Sequence, residues 1–190
     1  MEEEILAAAR LGDLEEIRRL LALGADINSP DDLGWSSLMW ASAKGFPDVV
    51  RVLLENGAET ETRDEYGATA LMKACRQGFI DVADLLLKYG ANVDAVDNLG
   101  WTALMRASRS GREDVVKLLL SQSPNTEIAD EQSLTALMMA VSEGHERVVR
   151  QLVEWGADPH AKDKNGRTAS MLADSMGRKE IVELLRTSET

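Results

Sequence analysis

The chain has 190 residues, with 33 acidic against 21 basic side chains and a formal net charge of −12. That balance argues against nucleic-acid backbones and anionic membrane surfaces as partners, because both require a basic face. One cysteine, Cys75, excludes an internal disulfide, no apolar run reaches the roughly 20 residues of a membrane span, and the acidic start Met1-Glu2-Glu3-Glu4 is unlike a signal peptide. A cytoplasmic, reducing location is the expectation.

From its first helix onward the chain repeats with a period of 33 residues. Asp31, Asp64, Asp97, Asp130 and Asp163 form one column, Ala41, Ala74, Ala107, Ala140 and Ala173 a second, and Gly45, Gly78, Gly111, Gly144 and Gly177 a third. Residues 1–30 read as a capping repeat without the leading turn, with helices over Ile5–Leu11 and Leu14–Leu23 and charge on the face an end cap turns to solvent. Residues 31–63 are the first full copy, with Pro47 in the first turn of its second helix.

Residues 64–96 are the clearest copy. Asp64-x-x-Gly67 makes a turn and Thr69 is placed to cap a helix over Ala70–Gln77 that stops at Gly78. A second helix begins with Asp81, carries Val82, Leu85, Leu86 and Leu87 on one face, and stops at Gly90. Residues 97–129 replace the terminating Gly-Ala by Ser123-Pro124, at about 1 kcal/mol if Ser123 is left-handed, so the 121–126 junction is expected to be the least regular. Residues 130–162 put Ser133 in the turn-glycine column, and residues 163–190, with Ser170 in a leucine column, read as a C-terminal cap. Helices this short cannot close a core alone, so each copy must bury its apolar face on the next.

The pattern Gly-x-Thr-Ala-Leu-Met-x-Ala, then Gly, then Val-x-x-Leu-Leu-Leu-x-x-Gly-Ala resembles the ankyrin repeat across essentially the whole chain. The resemblance implies an all-α solenoid of helix-turn-helix units with β-hairpin fingers, forming a single domain over residues 1–190. The family's usual Thr-Pro-Leu-His is altered: Met39, Met72, Met105, Met138 and Met171 stand at the His position. These methionines are expected to pack as apolar filler.

The resemblance also implies that fingers and first helices line a concave groove used for protein partners. Within a first helix, the residue after the methionine and those three and four later share a side. The expected partner-binding residues are Trp35, Trp40, Tyr66, Lys73, Arg76, Trp101, Arg106, Arg109 and Met139. They combine three of the four tryptophans with a basic row inside an acidic chain, which suits an acidic peptide or loop with apolar anchors. Two bland readings stay open: Trp40 is half-buried between neighbouring first helices, and the basic row only balances nearby acids. Cys75 reads as core, and neither His145 nor His160 has metal-ligand spacing, so no cofactor or metal is expected.

The expected function is therefore a non-catalytic, monomeric protein-binding module. Two alternatives from other classes are an engineered or reconstructed stable scaffold without a natural partner, and an inhibitor or targeting module that docks onto an enzyme. No triad, phosphate loop or metal cluster supports an enzyme.

Overall fold

A computed structural model describes residues 1–187. Its helices come in six pairs: α1 (Glu2–Leu11) with α2 (Leu14–Ala22), α3 (Ser37–Lys44) with α4 (Pro47–Glu55), α5 (Ala70–Gln77) with α6 (Ile80–Lys88), α7 (Ala103–Arg109) with α8 (Glu113–Leu120), α9 (Ala136–Glu143) with α10 (Glu146–Glu154), and α11 (Ala169–Ser175) with α12 (Lys179–Thr187). First helices stack on first helices and second on second, so the solenoid has two layers with the core between them.

The two layers differ because their surroundings differ. An inner first helix has a neighbour on each side and its own partner behind, so Leu71, Met72, Ala74 and Cys75 of α5 are all buried although they lie around much of the helix. Second helices bury one face only: Val82, Ala83, Leu85 and Leu86 in α6. The alanine column is wholly buried, and its small side chains let adjacent first helices approach. Ser36, Thr102, Thr135 and Thr168 accept a helix-start N–H as caps; Thr69, expected to do so, makes no such bond.

The β-hairpin fingers implied by the resemblance are absent: among the described residues there is no β-strand. The reason lies in the aspartate column. Asp64 Oδ1 accepts the N–H groups of Tyr66 (3.0 Å) and Ala68 (2.8 Å), and Asp97 Oδ1 those of Leu99 (2.8 Å) and Trp101 (2.9 Å). Donors that a strand ladder would use are thus turned inward onto a side chain. Neighbouring turns share single backbone bonds, Glu65 N–H to Leu33 O (3.1 Å), Asn98 to Tyr66 (3.0 Å), Glu131 to Leu99 (3.3 Å) and Lys164 to Gln132 (3.0 Å).

A second polar series joins the repeats. Asn28, Glu61, Asp94 and Glu127 each accept, through the side chain, the N–H of the residue 31 positions later: Glu59, Asn92, Asn125 and Asp158, at 2.9–3.0 Å. Three acidic side chains, Glu61, Asp94 and Glu127, thus serve the junctions.

Among the described residues, Ser123 and Ser133 are the non-glycine residues with left-handed backbone, at φ 55° and 60°. Pro124 also lacks the N–H with which Ala91, at the equivalent position, bonds Leu86 O (3.0 Å). Replacing Ser123 or Ser133 by Gly removes a steric penalty of about 1 kcal/mol. Each substitution is expected to raise the melting temperature by about 2–4 °C, measured by circular dichroism; an unchanged or lower midpoint would show the strain is not there.

Candidate functional site

The aspartate that folds each turn also fixes what stands above it. Its second oxygen, Oδ2, takes one side-chain donor per repeat, and the donor changes along the chain. Trp40 Nε1 donates to Asp31 (2.9 Å), Lys73 Nζ to Asp64, and an Arg106 guanidinium nitrogen to Asp97. Each donor lies nine residues after its aspartate. Met139 occupies that position in the next repeat and has no donor; there Trp101 reaches across from the preceding repeat and gives Nε1–H to Asp130 (3.1 Å). In the last repeat Arg167 pairs with Asp163 instead (2.7 Å).

This arrangement sorts the expected contact residues into two clusters. Near the N-terminal end, the rings of Trp35 and Trp40 lie 4.4 Å apart with planes at 39°, Lys73 Nζ sits 3.9 Å from the Trp35 ring centre, and the Arg10 guanidinium lies 5.7 Å from that of Trp40. Both indoles are half-buried and already hold cations of this chain, so the bland reading of Trp40 describes much of what it does. Lys73, 17% exposed at its side chain, is largely committed to Asp64.

The second cluster is open. Arg76, Leu99, Trp101, Arg106, Arg109, Ser110 and Glu143 surround a hollow of about 500 Å³ on the first-helix face. Beside it, Trp101, Arg109, Leu134, Met139, Ser142 and Glu143 line a smaller, more apolar hollow of about 210 Å³. Trp101 carries Arg109 and Arg106 at 5.0 and 5.5 Å from its ring centre, and Arg109 Nε meets Glu143 at 3.3 Å. Met139 is only 4% exposed, so it forms a floor rather than a projecting contact. Tyr66 stands apart on its turn, 64% exposed, and a hydrogen bond to Glu65 holds its pKa above the ordinary phenol value.

Side chains at the starts of the second helices also bond the ends of the first helices. Arg112 Nε donates to Arg76 O (3.2 Å), His145 Nε2 lies 3.0 Å from Arg109 O, and Arg178 donates to Glu143 O (3.4 Å). One residue after Gly111, Gly144 and Gly177, these side chains hold carbonyls in the last turns of α5, α7 and α9, which spacing alone did not reveal. Cys75 is fully buried and desolvation pushes its thiol pKa well up, so it is no nucleophile. Among the described residues no cluster of His, Cys, Asp and Glu could hold a metal, and no helix is long and apolar enough to cross a membrane.

Stacked helix pairs joined by aspartate-folded turns define a helical repeat solenoid. A family profile described as ankyrin repeats in three copies matches residues 5–64, 59–130 and 124–190, and the chain belongs to the ankyrin-repeat family. The crystal structure of an ankyrin repeat domain from Acinetobacter baumannii AYE is similar over 100% of this chain and 99% of that one, with a TM-score of 0.92 and 27% identity. A stretch of 43 residues, 23% of this chain, is 42% identical to Protein VAPYRIN-LIKE of Medicago truncatula, of whose length the match spans 9%. As an ankyrin-repeat domain this chain is a non-catalytic scaffold of the kind that serves protein–protein interaction.

Proposed function

We propose that the chain binds a partner protein or peptide on the concave, first-helix face, through the paired hollows between α5, α7 and α9, and that the partner segment is acidic with apolar anchors. The observation that carries this reading is the gathering of Arg76, Arg106 and Arg109 around Trp101 in a chain of net charge −12. An acidic segment is attracted locally while the rest of the surface repels it, which favours correct register. Preformed walls, held by hydrogen bonds to the helix ends, lose little entropy when occupied. Trp35, Trp40, Tyr66 and Lys73 supply a flank along which a longer partner continues. The protein acts in this reading as a monomer in a reducing, cytoplasmic setting and binds no nucleic acid.

The test is a paired substitution, Arg76→Glu with Arg109→Glu, both at exposed positions. Partners recovered by affinity purification with the wild-type chain are expected to bind the variant at least about tenfold more weakly. The melting temperature should move by less than about 3 °C, since exposed ion pairs contribute about 0–1 kcal/mol. Arg150→Glu on α10 serves as the control away from the groove. Equal affinities for all three proteins would remove the groove from the function.

A further inference from the structure

We propose that Arg76 is a carboxylate clamp: it takes one carboxylate from an extended segment of the partner, and the adjoining apolar side chain of that segment seats between Trp101, Leu134 and Met139. The inference rests on the groove reading above and adds the chemistry of the ligand and the residue that recognises it.

The three arginines of the larger hollow are not equivalent. Arg106 is bound to Asp97, its side chain is 18% exposed, and its Nε is buried without a partner, so it cannot swing toward a ligand without breaking the turn. Arg109 is drawn toward Trp101 and Glu143. Arg76 is exposed, and its guanidinium makes no hydrogen bond or ion pair among the described residues, while its own carbonyl is pinned by Arg112. Of the three guanidiniums, Arg106 is paired with Asp97 and Arg109 with Glu143, while the Asp130 carboxylate is taken by the Trp101 indole, so the charge of Arg76 alone has no partner among the described residues. A single carboxylate matches that one unpaired guanidinium and its planar fork of donors. A phosphoryl dianion would overfill it and crowd Glu143.

The two hollows share Trp101, Arg109 and Glu143. Their occupants therefore lie side by side, which in an extended chain rising about 3.3 Å per residue places acid and apolar residue within about two positions of each other. The carboxylate can come from an Asp or Glu side chain or from the end of the partner chain; the chemistry at Arg76 is the same.

Peptide selection on the intact protein tests this, using random libraries displayed with a free carboxyl terminus and, separately, with both ends blocked. Selected peptides are expected to pair an acid with Leu, Met, Ile or Phe within two positions in the blocked library, or an apolar last residue with the terminal carboxylate in the free one. The library that enriches identifies the source. For synthetic versions, changing Glu to Gln, or the terminal acid to its amide, should weaken binding at least about tenfold to wild type and leave binding to Arg76→Gln nearly unchanged, with Arg76→Lys between. An equal acid-to-amide loss in Arg76→Gln overturns the clamp, as does tighter binding of a phosphoserine replacement. Winners that lack an acid yet lose affinity on Met139→Ala or Arg109→Glu overturn the clamp and leave the groove reading standing. Winners insensitive to all of these substitutions, or no winners, take down both.

Discussion

Asp97→Ala should be among the most damaging single substitutions in this protein, lowering stability by about 3 kcal/mol and the melting temperature by about 10 °C. One buried carboxylate accepts two N–H groups, from Leu99 and Trp101, and pairs with Arg106. Removing it leaves three donors unsatisfied at once. The figure sits at the lower end of what a broken buried pair costs because Arg106 retains 18% exposure and rehydrates in part. Asp97→Asn keeps an acceptor for the two backbone donors and loses the charge, so it should recover roughly half of the deficit. Asp32→Ala, at an exposed neighbour of an equivalent aspartate, should change stability by less than about 0.5 kcal/mol. Chemical denaturation of the three variants decides it: an Asp97→Ala midpoint indistinguishable from that of Asp32→Ala would mean that the turn holds without its carboxylate.

The fold was legible in the sequence because its determinants are local and repeated. The columns of Gly78, Ala74 and Asp64 with their copies placed the α5 and α6 boundaries, since a helix stop at glycine and an apolar stripe are properties of neighbouring residues. The finger strands were not legible. Whether Tyr66 and Ala68 give their N–H groups to a neighbouring strand or to Asp64 Oδ1 is a competition between backbone and side-chain acceptors, and the resemblance supplied the wrong answer. Thr69 failed as a cap for a similar reason of local detail, although its counterpart Thr102 bonds Met105 N–H at 3.1 Å.

The candidate site was half legible. Helical spacing brought Arg76, Arg106 and Arg109 to one face, and the structure gathers them at one hollow. Spacing could not tell which bases were already engaged, because Asp97 and Arg106 lie nine residues apart and meet only through the bend between turn and helix. The same folding places Lys73 on Asp64 and ties the Trp101 indole to Asp130 of the next repeat. A sign for these pairings existed in the sequence: the position nine after the aspartate carries Trp40, Lys73 and Arg106, each able to donate, before passing to Met139 and Leu172. Thus the position nine after the aspartate is spent on folding the turns, whereas Arg76 and Arg109, three positions further on, keep exposed charge.

Met105→Ala should lower stability by about 3 kcal/mol, whereas Met171→Ala at the same repeat position should cost less than about 0.5 kcal/mol. Met105 is 1% exposed on α7, which has first-helix neighbours α5 and α9 on its two sides, and its sulfur lies 3.4 Å from the Thr102 N–H that it accepts. Truncation leaves a cavity that the short, alanine-rich helices cannot collapse to fill, and it withdraws a weak acceptor from a helix start. Met171 is 56% exposed on α11, which packs on α9 alone among the described first helices, so losing its side chain removes little buried surface. Because each repeat is held chiefly by its neighbours, a defect at α7 weakens two junctions while one at α11 weakens a single junction. Denaturant unfolding followed by circular dichroism separates the two variants. Equal losses would show that the methionine column acts through intrinsic helix propensity, which is the same at both positions, and not through packing between repeats.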